Sequence, residues 1–204
     1  MTDVTISRTN PKATIVLRLG LLGLWAWAVA QGYLSVIDHA LAGRLQGLRA
    51  PALDAIVKVF ALFGSSGWSA VALPALAFAE WRRRGSQAVR AWGIALVLGL
   101  ALEATLRLAV GQWRPDVAAL PVHMTLIQRF HVTGFPSGHA FRAAFLGGWV
   151  GSLWPSVRWG GVALAALVGA TRPYLNRHWA SDVVGAWLVA WLALALVKPR
   201  RDSA

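Results

Sequence analysis

Two histidines stand where a histidine could do chemistry. His178 is followed four residues later by Asp182, so on a helix the two side chains share a face. A carboxylate there can hold one imidazole nitrogen protonated and leave the other free to attack. Arg172, six residues before His178, can bring a guanidinium to the same place. His139 closes the run Pro136-Ser137-Gly138-His139, just ahead of an apolar segment. In such a run Ser137 can cap the coming helix, and its first N–H groups point outward as an anion site. Gly138 has no side chain to block an approaching oxygen, and His139 would stand at the mouth as a proton donor. Arg107 and Arg114 are seven residues apart, nearly two turns, so a continuous helix ended by Pro115 would project both guanidinium groups from one face. Together these groups describe a phosphate site. Singly, each has a plain structural reading: a turn with a helix cap, or a pair on a helix surface.

Other ionisable groups lie nearby without such a pattern. Asp116, His123 and His131 form no recognisable metal-ligand spacing and read as solvated loop residues. Arg142, one turn beyond His139, either faces the site or snorkels outward. Glu103 falls one turn before Arg107 inside an apolar run, where an unpaired carboxylate is costly. It is expected either to pair with Arg107 and aim it, or to satisfy another polar group in the bundle, or to be protonated. The chain has no cysteine, which excludes disulfides, thiolate catalysis and Cys-ligated zinc.

The elements that must position these groups are membrane helices. Of 204 residues, 57% are hydrophobic, and the mean hydropathy is +0.54, too apolar for an ordinary soluble domain of this size. The net charge of +12 would suggest nucleic acid in a soluble protein, but here the basic residues cluster between apolar runs, as membrane topology requires. The expected partners are therefore membrane lipids and no nucleic acid. Six segments approach the roughly 20 apolar residues of a span: 15–33, 59–79, 92–110, 139–154, 159–171 and 183–197. The expected fold is all-α, one membrane-embedded domain over residues 1–204 with six transmembrane helices and no signal for an oligomeric state. The mixed segment 35–51 reads as a short amphipathic connection at the interface.

Orientation follows from the short basic segments. Arg8 and Lys12, then Arg82, Arg83, Arg84 and Arg90, then Arg158, then Lys198, Arg200 and Arg201 all fall on one side of a six-span chain. Trp81, Trp92, Trp154 and Trp159 mark the same boundaries. Both termini are expected in the cytoplasm of a cell bounded by a bacterial inner membrane, with 111–138 and 172–182 on the external or periplasmic face. Ala28-Val29-Ala30 looks like a signal-peptidase site, but Arg18 interrupts the apolar run before it, so the first span is expected to be retained.

In order, the motifs read Arg107-x6-Arg114-Pro115, Pro136-Ser137-Gly138-His139 and Thr171-Arg172-x5-His178-x3-Asp182. This resembles the type 2 phosphatidic acid phosphatase family, whose motifs are Lys-x6-Arg-Pro, Pro-Ser-Gly-His and Ser-Arg-x5-His-x3-Asp. Arg107 replaces Lys and Thr171 replaces Ser, and Arg is a wider, planar donor. The resemblance implies a metal-independent phosphatase with no cofactor, acting on a lipid phosphate or diphosphate such as a polyprenyl diphosphate or phosphatidic acid. It also implies roles. His178 attacks phosphorus to form a phosphohistidine, Asp182 orients its imidazole, and His139 protonates the leaving oxygen and then activates water. Arg107, Arg114 and Arg172, with the Ser137 hydroxyl and the Gly138 N–H, hold the nonbridging oxygens. Lipid A dephosphorylation and phosphate transfer between lipids are the alternatives among enzymes. Similar motifs occur in soluble vanadium haloperoxidases, a relation that does not suit so apolar a chain. A transporter or scaffold that kept a phosphate pocket is a further alternative, disfavoured by the intact histidine and aspartate set.

Overall fold

The computed structural model describes residues 11–117 and 123–197. Among them the regular elements are all helices, with one isolated antiparallel bridge between Trp113 and Thr133. Its helices are α1 (Pro11–Ala30), α2 (Ser35–Gly47), α3 (Pro51–Leu62), α4 (Ser66–Arg84), α5 (Ser86–Val110), α6 (Leu126–Val132), α7 (Gly138–Leu153), α8 (Arg158–Tyr174) and α9 (Ala180–Leu196). A single 3-10 turn, Pro155–Val157, joins α7 to α8.

All six apolar segments are helical, but their ends and continuity differ from expectation. The segment 59–79 is broken. α3 stops at Leu62, and Ser65 caps α4 by accepting the Trp68 N–H at 3.1 Å. The two helices are bent by 41°. The segment 35–51 is more than a connection, since it forms the 13-residue helix α2. α1 and α5 are each long and apolar enough to cross a membrane, and α3 with α4 makes a third span if the bent pair is counted as one. α7, α8 and α9, at 16, 17 and 17 residues, are shorter. Large apolar side chains such as Leu24 of α1, Val71 and Phe78 of α4 and Ile94 and Val97 of α5 are exposed, a surface that suits lipid and not water. Arg8, Lys198, Arg200 and Arg201, on which part of the orientation rests, lie outside the described residues.

α7 is the central helix, packing on α8, α9 and α4. Its Phe141, Phe145 and Trp149 join Trp92 of α5 and Ala186, Val189 and Ala193 of α9 in the main core. Trp92 and Trp149 stack with centroids 4.7 Å apart. α7 and α8 meet at Gly147 and Gly161, where a Cβ on either would lie 2.7 Å from the other's carbonyl oxygen. Small residues are what allow backbones this close inside a membrane, where no hydrophobic effect drives helices together. The basic C-terminal end of α4 is joined to the C-terminal end of α7, with Arg83 donating to the Leu153 carbonyl at 2.6 Å. The C-terminal end of α5 and the N-terminal ends of α7 and α9 gather at the opposite end of the bundle.

Candidate active site

That opposite end holds the three motifs, and backbone contacts join them. α5 ends at Val110 because Gly111 takes a left-handed φ of +66°, its N–H bonding the Arg107 carbonyl at 3.3 Å. Arg107 is thus in the last turn of α5, whereas Arg114 lies beyond it. The expected continuous helix to Pro115, with both arginines on one face, is therefore corrected. The chain brings Arg114 in another way. The Arg114 N–H bonds the Val132 carbonyl at 3.1 Å, and the Gly134 N–H bonds the Gln112 carbonyl at 2.7 Å, on either side of the Trp113–Thr133 bridge. The Arg114 side chain then donates from Nε to the Thr133 carbonyl at 3.2 Å.

Arg107 is nearly buried and makes two close contacts from one nitrogen: 2.7 Å to Glu103 Oε1 and 2.8 Å to the Pro136 carbonyl. The first is the ion pair with Glu103, a charge-assisted bond at the i, i+4 spacing. The second fastens α5 to the Pro136-Ser137-Gly138-His139 run. The Arg107 guanidinium also sits over the Phe130 ring, 4.9 Å from its centroid. Ser137 is the N-cap residue of α7 by position, but its hydroxyl makes no capping bond, which corrects that expectation. The hydroxyl is buried and has no partner among the described residues. The Ser137 N–H instead bonds the Asp182 carbonyl at 3.1 Å, tying the second motif to the third.

His178 precedes α9 and does not lie on it, so its contact with Asp182 is not a pairing along a helix face. Trp179 between them is extended, with ψ 159°. The two still meet, His178 Nδ1 lying 3.2 Å from Asp182 Oδ2. The same oxygen accepts the Trp179 N–H at 2.9 Å, so the carboxylate is fixed by the helix end that it caps. Both residues are buried. A Cβ on Gly134 would fall 2.6 Å from Asp182 Oδ2, so glycine there makes room for the carboxylate. Burial first, then the positive charges of Arg172, Arg114 and Arg107, push His178 well below the ordinary histidine value. Its imidazole is therefore neutral at neutral pH, the state a nucleophile needs. Arg114 is also pushed down, by burial and then by Arg107.

Arg107, Arg114, Gly138, His139, Arg142 and His178 line one cavity of ≈ 640 Å³, with Glu103, Phe130, His131, Ser66, Leu100 and Ala104 completing its wall. Ser137, Arg172 and Asp182 are buried beside it and are not lining residues. Nε of Arg107, Nε of Arg172 and Oδ1 of Asp182 have no partner among the described residues. Thr171 spends its hydroxyl on its own helix, bonding the Val168 carbonyl at 2.6 Å. Arg142 does face the site: Nε donates to the Gly64 carbonyl at 2.9 Å, and a terminal nitrogen lies 3.4 Å from His139 Nδ1. His131 reaches the wall as well, whereas Asp116 pairs with Arg177 at 2.8 Å. Among the described residues no group of three or more His, Cys, Asp or Glu has the geometry to hold a metal ion.

Such a cavity can bind a multiply charged oxyanion among guanidinium groups and present it to a neutral, oriented imidazole. Spacing alone points neither to Phe130 nor to the α3–α4 break. Only the isolated glycine of Thr133-Gly134-Phe135 hinted at a close approach.

A family model described as the PAP2 superfamily matches residues 67–202. A structural relative is the first transmembrane PAP2 type phosphatidylglycerolphosphate phosphatase from Bacillus subtilis. It aligns at a TM-score of 0.73 and 22% identity over 90% of this chain and 93% of that one. LpxE of Aquifex aeolicus aligns at a TM-score of 0.60 and 24% identity over 78% of this chain and 94% of that one. No curated protein sequence matches significantly.

Proposed function

The chain belongs to the PAP2 superfamily, and from that premise we propose that it is a lipid phosphate or diphosphate phosphohydrolase working through a phosphohistidine at the external face of a membrane. The observation that carries this reading is the meeting of Arg107, Arg114, His139 and His178 on one cavity, with His178 Nδ1 held against Asp182. In this reading His178 Nε2 attacks phosphorus, and the bond from phosphorus to the leaving oxygen breaks as His139 delivers a proton to that oxygen. Water, giving its proton to His139, then attacks the phosphorus of the phosphohistidine, and the bond from phosphorus to His178 Nε2 breaks to release phosphate. Arg107, Arg114 and Arg172, with the Ser137 hydroxyl and the Gly138 N–H, stabilise the charge on the nonbridging oxygens. Asp182 keeps the imidazole aimed and balances its charge.

Residues 1–204 form one membrane domain in this reading. The six helical segments α1, α3 with α4, α5, α7, α8 and α9 are its six spans, the short ones continuing into the polar ends that hold the site. Arg82, Arg83 and Arg84 at the end of α4 support a cytoplasmic location for that end of the bundle and for both termini, in a bacterial inner membrane. The phosphatidylglycerolphosphate phosphatase among its structural relatives supports a phospholipid phosphate as substrate.

The test is phosphate release from a panel of phosphatidic acid, phosphatidylglycerolphosphate, polyprenyl diphosphate and lipid A by the purified protein. At least one lipid is hydrolysed, turnover survives chelators, and vanadate inhibits it. His178→Ala lowers kcat by about six orders of magnitude, on the scale of nucleophile removal. Near-normal turnover in His178→Ala would sink the assignment, and transfer of the phosphate to a second lipid would make the enzyme a transferase.

A further inference from the structure

The segment that carries His178 is held at both ends by a helix outside the stretch matched by the family model. At its far end, the first turn of α9 needs acceptors for its free N–H groups. The N-cap residue, Trp179, cannot supply one, because an indole only donates; its Nε1 goes to the Trp113 carbonyl at 2.7 Å. The acceptor comes from α2. Asp38, buried, takes the Ser181 N–H on Oδ1 at 2.9 Å and the Ser181 hydroxyl on Oδ2 at 2.5 Å. A carboxylate at a helix N-terminus is also favoured by the helix dipole. From the other side, Trp25 Nε1 donates to the Ser181 carbonyl at 3.0 Å.

At the near end, Gln46 Nε2 donates to the Pro173 and Tyr174 carbonyls, both at 3.0 Å. These are the last residues of α8, directly after Arg172. The Tyr174 hydroxyl in turn donates to Asp54 Oδ1 of α3 at 2.7 Å. Asp38 and Gln46 are eight residues apart on α2, about 12 Å along a helix. That rigid span bridges the ends of residues 175–179, and His178 lies between them.

We propose that α2 is a clamp that positions the nucleophile, Asp38 fixing the start of α9 and Gln46 fixing the end of α8. This rests on His178 being the nucleophile. Asp38 and Gln46 touch neither His178 nor the cavity, so they act through the backbone they hold. Loss of either lets the imidazole drift from its line of attack without removing a phosphate contact. The expected signature is a fall in kcat with KM preserved.

Asp38→Ala, Asp38→Asn and Gln46→Ala, each purified as the full chain in detergent, test this with two readouts. Hydrogen–deuterium exchange should rise by about tenfold or more across 175–182 in Asp38→Ala, with the core of α7 unchanged. Phosphate release should show kcat down by about 10²-fold in Asp38→Ala, the scale of a misplacement near 1 Å, at a KM within about twofold of wild type. Asp38→Asn keeps an oxygen for the Ser181 N–H and should recover most of the rate. Gln46→Ala should fall between the two.

Unchanged exchange across 175–182 in Asp38→Ala overturns the clamp. So does increased exchange with an unchanged kcat, or a loss of rate that Asp38→Asn does not relieve. If Asp38→Ala does not fold, Asp38→Asn and Gln46→Ala decide the question by the same readouts. Full turnover in His178→Ala would defeat the proposed function instead, and the exchange result would still accept or reject the clamp.

Discussion

The same four-residue spacing of Glu and Arg occurs at both ends of the bundle, with opposite results. At one end Glu80 pairs with Arg84 at 3.4 Å, and at the other Glu103 pairs with Arg107 at 2.7 Å. Both carboxylates are buried within apolar helices. Around Glu80 the network closes: its second oxygen takes Trp149 Nε1 at 3.0 Å, and Arg84 spends its other contacts on the Ser152 hydroxyl and carbonyl at 3.0 and 2.7 Å. Around Glu103 it stays open. Arg107 has an Nε without a partner among the described residues, and its guanidinium faces the cavity. A satisfied buried pair locks α4 to α7, whereas a partly satisfied one keeps donor capacity for a ligand. The lesson is that the pair itself says little, and the groups completing it decide between lock and site.

The sharpest way to break this contrast is to remove the two arginines in turn. Arg107→Ala should lower kcat/KM by about 10²–10³-fold, the scale of losing one transition-state donor. Arg84→Ala should leave turnover within about twofold and lower the thermal midpoint in detergent, because the buried Glu80 carboxylate loses its cation partner. Equal kinetic losses in both would erase the distinction.

Two double-mutant cycles refine it. Glu103→Gln with Arg107→Lys should show coupling of about 0.5–3 kcal/mol in kcat/KM, as for residues in contact. Glu80→Gln with Arg84→Lys should couple in unfolding and not in catalysis. Additivity in the first cycle, with folding intact, would leave Glu103 a structural residue only.

Gly138 offers a smaller perturbation of the open pair. A Cβ there would lie 2.8 Å from Glu103 Oε1 and 3.2 Å from an Arg142 terminal nitrogen. Both are ends of flexible side chains, so Gly138→Ala should fold. The displaced carboxylate should misaim Arg107 and lower kcat/KM by about tenfold, within the range known for small misplacements. A kinetically silent Gly138→Ala would show that the pair tolerates movement.

A further expected effect is in pH, and it bears on stability instead of turnover. His178 is held below its ordinary value of 6.5 by burial and the surrounding arginines. The unfolded chain therefore takes up a proton that the native one refuses. This contribution to stability is complete above about pH 6.5 and is lost as pH falls through the lower native value, by up to about 1.4 kcal/mol per pH unit. Between pH 7 and 5 the wild-type thermal midpoint should fall more than that of His178→Gln. Parallel curves would mean that His178 is not buried as a neutral base.

Much of the site was legible because the motifs sit close together in sequence and each needs its own residue types. Arg107, Gly138 and His139 line one cavity, Arg172 is buried beside it, and the six apolar segments are all helical. Two of the expectations that failed did so for one local reason: they extended helix periodicity past the true helix ends. Gly111 stops α5 before Arg114, and the extended Trp179 puts His178 ahead of α9. A left-handed glycine is permitted by sequence but not compelled by it, since a helical glycine costs only about 1 kcal/mol.

What the sequence determined by itself was composition, helical pattern and the inventory of charged groups, all properties of neighbours along the chain. Tertiary structure alone decided which of two identical Glu–Arg spacings would be closed by Trp149 and Ser152, and which would open on a cavity. It alone placed Asp38 against Ser181, 143 residues away. Partners at such distances are chosen by the packing of whole helices, and a buried polar group accepts whichever donor that packing brings within reach.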